Sequence, residues 1–299
     1  MFNFMKYNKI MIVISTLLVI ASLFLITSKG FQFGIDFKGG TLTELNFKEN
    51  IETDTIKNYL KEEFKEITVI HYGSSNKILI QTELDKDYQN IGKKIFEEIK
   101  KHEKDVNLVR TEFIGPKIGD ELKTKGVLSL LIVAISILVY VSFSFEFKFS
   151  VGAIIALCHD LIISAGFISL MEINIDLNVL AAMLAILGYS LNDTIIVYDR
   201  VRENINNEEE INSISETINK SINETLSRTI MTSLTTSVTL IALLIWGGES
   251  LSSFSMILLF GIIIGTYSSI YIASGLLNTL KINKKEKDLI EINKENGVL

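Results

Sequence analysis

Cysteine, proline and tryptophan each occur once in this chain of 299 residues, and histidine only three times. A lone Cys158 excludes an intrachain disulfide, and three scattered histidines beside one cysteine give no metal-ligand spacing. The single proline, Pro116, follows Gly115 where a polar stretch gives way to an apolar one. A net charge of −6 leaves no basic footprint for nucleic acid. Basic residues are also missing from two short loops, 171–176 and 247–253, which hold Glu172, Asp176 and Glu249 but no lysine or arginine.

Apolar residues are abundant, at 48%. They gather into six runs near the roughly 20 residues needed to cross a bilayer: Ile10–Thr27, Val127–Phe145, Phe149–Leu170, Leu177–Tyr198, Thr229–Trp246 and Phe254–Leu277. The first follows Lys6 and Lys9 like a signal peptide, but no small-residue cleavage site comes after it, so it reads as an uncleaved anchor. Lys148, Arg200, Arg202, Lys220, Arg228 and the lysines of the tail fall on the side opposite the two acidic loops. The positive-inside rule then puts both termini in the cytoplasm of a multi-pass inner-membrane protein. The expected division is 1–27 for the N-terminus and first helix and 28–125 for an extracytoplasmic domain, then 126–280 for helices two to six and 281–299 for a cytoplasmic tail.

The polar segment alternates as a strand at 42–47, takes helical spacing over Glu52–Phe64 and gives strands at Ile67–Tyr72 and Lys77–Thr82, joined by a turn at 73–76. A helix over Tyr88–His102 and a strand over Val106–Ile114 complete a β-α-β-β-α-β order, that of a ferredoxin-like α+β domain. Gly34-Ile35-Asp36-Phe37-Lys38-Gly39-Gly40-Thr41 looks superficially like a phosphate loop, yet it lacks a lysine before the threonine and a strand follows it. Its glycines suit a tight turn or close backbone packing.

Polar groups inside the apolar runs carry the functional signal. Asp193 lies within a hydrophobic helix beside Tyr189, Ser190, Asn192 and Thr194. A charge at that depth costs about 2.5–3.5 kcal/mol even on lenient scales, so it implies a partner or a wet cavity. Asp160 shares a four-residue spacing with Gly152, Ala156 and Ser164, a close-packing face, while His159 points about 100° away around an ideal helix. Both assembly and ion transfer are open to it. Gly261, Gly265, Ser269 and Ala273 form a second small-residue face. The fifth run places Arg228, Thr232, Thr235 or Thr236, and Thr239 on one side, a hydroxyl stripe headed by a guanidinium. If the fourth and fifth spans are neighbours, an Arg228–Asp193 contact is within reach; otherwise Arg228 is an ordinary interface anchor. Ile211, Ile214, Ile218 and Ile222 suggest an amphipathic helix on the membrane face or on the bundle itself, and Glu208-Glu209-Glu210 a solvated run.

These motifs resemble the SecD/SecF family of protein-export membrane subunits. The resemblance rests on Phe33–Thr41, His159-Asp160, Gly188–Thr194 with Asp199–Asn204, Thr225–Thr229, Gly247-Gly248 and Gly265–Tyr271. It implies one six-helix half of a resistance-nodulation-division (RND) transport unit, paired with SecD and acting with the SecYEG channel on preproteins. It implies no enzyme and no cofactor, only a transported proton or sodium ion, with Asp193, Arg228 and Asp160 as ion-coupling positions. A scaffold without ion transfer, and efflux of small molecules, are the alternatives.

Overall fold

The computed structural model describes residues 2–64, 67–72, 74–82, 90–207 and 213–280. Among the described residues, six helices are long and apolar enough to cross a membrane. They contain α1 (Asn8–Lys29), α5 (Pro116–Ser144), α6 (Phe147–Leu170), α7 (Leu177–Asn207), α8 (Ile214–Trp246), and α9 (Glu249–Ser268) with a π-helical turn at Ser269–Ala273 and a last short helix α10 (Ser274–Thr279). The domain between α1 and α5 comprises a single helical turn α2 (Ile35–Lys38), β1 (Gly40–Phe47), α3 (Thr53–Leu60), β2 (Ile67–Tyr72), β3 (Ser74–Thr82), α4 (Ile91–His102) and β4 (Val106–Ile114).

The sheet is antiparallel in the order β2-β3-β1-β4. This is the split arrangement expected from the element order, because β3 inserts between the two strands joined by α3. Alternating apolar positions put Leu45, Phe47, Val69, Ile78 and Ile80 on one face, against Ile56 and Leu60 of α3 and Ile91, Ile95 and Ile99 of α4. β3 begins at Ser74, three residues before the strand expected at Lys77, so the hairpin is tighter than the sequence suggests. Gly73, Tyr88, Ile211, the 208–210 acidic run and the 281–299 tail lie outside the described residues.

In the bundle, α6 and the α9 segment are the most buried spans, while α1, α5 and α8 leave most of their apolar surface outward. Small residues explain which helices are central. A Cβ at Gly261 would fall on Ile186 of α7, one at Gly265 would crowd Ser190, and one at Gly152 would fall on the Tyr198 hydroxyl. That hydroxyl donates to Ala273 O at 3.0 Å, a carbonyl of the π-helical turn. The isoleucines at 214, 218 and 222 are the first turns of α8 rather than a separate surface helix; Ile218 and Ile222 are buried against the bundle. Of the two placements considered for that helix, the bundle is the one observed. α7 runs unbroken beyond Tyr198 to Asn207.

The glycine-rich segment has a role the sequence left partly open. Residues 35–38 make one helical turn, and Gly39 (φ +79°) then reverses the chain into β1. A Cβ on Gly40 would collide with Thr82 O of β3, and one on Gly119 of α5 would lie 3.0 Å from Gly39 N and Phe37 O. Close backbone packing, one of the two roles expected of them, accounts for these glycines.

Candidate functional site

Two polar centres lie inside the bundle, and both are built on α7 and α9. The first is Asp193, about 1% exposed. Its Oδ2 accepts from Thr266 Oγ1 of α9 at 3.3 Å, and the Thr266 hydroxyl is 2.8 Å from Ser233 Oγ of α8. Its Oδ1 is buried and has no hydrogen-bond partner among the described residues. Thr229, one turn from Ser233 along α8, is likewise buried with its hydroxyl unpartnered among the described residues. A carboxylate oxygen in such surroundings is unsatisfied unless it takes up a proton, a cation or water.

The second centre is Asp160 of α6, also about 1% exposed. Its Oδ1 is 2.8 Å from His159 Nδ1, and its Oδ2 accepts from Ser190 Oγ of α7 and from Ser268 Oγ of α9, the latter at 2.7 Å. One carboxylate thus ties three helices together. Alongside it, Thr194 Oγ1 and Ser269 Oγ are 2.9 Å apart, and Ser269 also bonds back to Gly265 O at 2.9 Å. His159, expected to diverge from Asp160, instead folds its ring back onto it.

The hydroxyl stripe of α8 is rotated from its expected position. Thr235 and Thr239 are exposed, and the Thr232, Thr235 and Thr239 hydroxyls bond the backbone of their own helix. The inward face is instead Thr229, Ser233 and Thr236, with Tyr189 donating to Thr232 O at 3.0 Å and bonding the Thr236 hydroxyl. The Arg228–Asp193 contact is not formed. Arg228 is exposed, and its guanidinium makes no hydrogen bond or ion pair among the described residues. The cause is angular, because Arg228 lies on the outward side of α8, about 100° from Thr229 on an ideal helix. Asn192 is exposed as well and joins neither centre.

Ser233 was not singled out from the sequence, and Thr266 and Ser268 entered only as members of the Gly265–Tyr271 motif, with no role of their own. An isolated serine or threonine in a long apolar helix gives no periodic signal, since such hydroxyls commonly bond their own backbone. Their spacing on α9 was the available clue: Thr266 and Ser268 lie about 200° apart at 100° per residue, so they face different neighbours.

At the helix end away from the sheet, Arg200 bonds Glu224 at 2.7 Å and Glu203 at 2.6 Å, and Asn204 joins Glu224 at 2.8 Å. These contacts pin α7 to α8 there. On the sheet side, Asp176 is half-buried ahead of α7, and burial first, then the neighbouring Asp36 charge, raises its carboxyl above the ordinary aspartate range.

Residues 94–283 match the family model for the C-terminal part of the protein export membrane protein SecD/SecF, and residues 24–51 match the SecD/SecF GG motif. A protein translocase subunit SecF from Vibrio alginolyticus is 40% identical over 98% of this chain and 94% of its own length. The SecF of Calditerrivibrio nitroreducens is 41% identical over 95% of each chain. The crystal structure of SecDF from Thermus thermophilus, described as a translocon-associated membrane protein, superposes with a TM-score of 0.80 at 37% identity. That match covers 94% of this chain and only 38% of the solved one. A super-membrane-facing form of SecDF gives a TM-score of 0.72 at 36% identity over 98% of this chain.

Proposed function

The chain belongs to the SecD/SecF family of protein-export membrane proteins, and from that membership we propose that it is the SecF-type half of a unit that uses an ion gradient to promote preprotein export. The partner is a SecD half, and the unit acts with the SecYEG channel in the inner membrane. A chain matching 38% of a solved SecDF leaves room for that second half. The acidic loops beside the sheet face outward and the basic ends, with both termini, lie in the cytoplasm.

The observation that carries this reading is the Asp193 carboxylate, buried between three helices with one oxygen unpartnered among the described residues. A proton or sodium ion arriving there removes the desolvation cost of the charge. Occupied and empty states therefore favour different packings of α7 against α8 and α9. One charge crossing about 150 mV releases roughly 3.5 kcal/mol, at about 2.3 per 100 mV. Since 1.4 kcal/mol is about tenfold, this biases a two-state equilibrium by roughly 300-fold. Arg228 is exposed and its guanidinium is unpaired among the described residues, which suits a carboxylate supplied by a partner half.

Asp160 fits a fixed role better. With three hydrogen-bonding partners from its own chain, it holds α6, α7 and α9 together rather than waiting for an ion. A scaffold reading of the whole subunit differs from the motor reading in one experiment. Asp193→Asn is expected to co-purify with SecD at native yield while gradient-driven export is lost. Loss of the SecD complex in that variant would instead support the scaffold.

A further inference from the structure

An ion site inside the bundle does work on a polypeptide outside only if its movement reaches the outer domain. The sheet is covalently attached to α1 and α5, neither of which carries a member of the two polar centres. Its non-covalent attachment to α7, which carries Asp193, is specific. Gly34 N donates to Ile175 O at 2.9 Å and Ile175 N donates to Gln32 O at 2.8 Å, forming a parallel bridge between Phe33 and Ile175. Asp36 of α2 then accepts from Leu177 N, the first residue of α7, at 3.1 Å, while Asp176 accepts from Val179 N at 2.8 Å. The first turn of α7 is therefore capped by one carboxylate of its own and one from the segment leading into β1.

Anions are favoured at a helix N-terminus, where the first N–H groups lack intrahelical acceptors. A Cβ at Gly34 would lie 3.3 Å from Ile175 O, so a side chain there would push the bridge apart by a few tenths of an ångström. Beyond the joint the packing is open: clefts of about 390 and 300 Å³, both lined by Gly34 and Ile35, lie between the sheet edge and the bundle. On the other side of the joint α7 is stiff, a single α-helix through Asn207, whereas α9 is interrupted by its π-helical turn. Asp193 is 17 residues from Asp176, roughly 25 Å at 1.5 Å per residue.

We propose that Asp36 is the positioning residue that transmits movement of α7 to the outer domain, through its cap on Leu177 N. This rests on Asp193 being the ion site that shifts α7. A rod held at its tip by a cap and a backbone bridge carries a tilt or slide of the ion-binding helix into α2, and the Gly39 reversal passes it to β1.

The test uses the full chain with its SecD half in vesicles, in a Cys158→Ser background carrying two pairs of spin labels. One pair, at Asn58 and Thr27, reports the outer domain against α1; the other, at Lys9 and Asn207, reports the far end of α7 against α1. An imposed ion gradient is expected to change both distances in the native chain and neither in Asp193→Asn. Asp36→Ala is expected to lose the outer change and keep the α7 change, and to lose gradient-stimulated export. Asp36→Asn, whose amide oxygen still accepts from Leu177 N, is expected to keep both changes. A native-like outer change in Asp36→Ala, with Asp193→Asn still silent, would overturn the joint alone. Loss of both changes in Asp36→Ala would make Asp36 a prop for α7 and also overturn it. A native-like response in Asp193→Asn would remove the motor reading on which the joint rests.

Discussion

Asp160 and Asp193 are equally buried, yet among the described residues one carboxylate has both oxygens hydrogen-bonded and the other only one. Losing one donor to a buried carboxylate costs about 1–3 kcal/mol. Ser190→Ala and Ser268→Ala are therefore expected to lower thermal stability in detergent, and Asp160→Asn at least as much, read by melting of the purified complex. Asp193→Asn removes a charge that has only hydroxyl partners, so its melting temperature is expected to stay native or rise. Arg228→Ala is expected to leave the melting of this chain alone unchanged, since nothing described in this chain depends on it, while weakening gradient-driven export of the complex. The sequence marked both aspartates, because an acid in an apolar helix stands out by cost alone. Which of them was satisfied depended on Ser233, Thr266 and Ser268, whose partners are fixed only by how the helices rotate against one another.

Among the elements, the long apolar runs and the alternating strands were legible because each repeats a period over many residues. The rotation of α8 was not. Its outward threonines and inward Thr229, Ser233 and Thr236 are equally polar, so composition could not say which stripe faces α7. The one-turn helix α2 was missed because four residues carry no periodicity, and the bridge from Phe33 to Ile175 joins positions far apart in sequence. Gly40→Ala is expected to destabilise the outer domain by about 1–3 kcal/mol, the scale of overpacking, because the opposing atom is a backbone carbonyl that cannot rotate away. Limited proteolysis of the outer domain would read that loss. Asp176 gives a pH signature at the same joint. Its carboxyl is raised by burial and by Asp36, so the ionised form costs stability, absent in acid and growing as pH rises past the ordinary aspartate value. Asp176→Asn keeps an acceptor for Val179 N and is expected to flatten that dependence in melts taken across the acidic range.

For the whole molecule, the contacts run from the outer sheet through the capped tip of α7 to the buried Asp193, and the proposed joint would make them one mechanical line. The family match places the chain in an export apparatus, and the function proposed here adds that binding free energy at a carboxylate becomes displacement of a domain. Export into vesicles holding this chain, its SecD half and the channel, under proton and sodium gradients imposed one at a time, bears on that claim most directly. The expected result is that one of the two ions stimulates export by the native unit and neither stimulates the Asp193→Asn unit. Equal stimulation of both units by the same ion would contradict it.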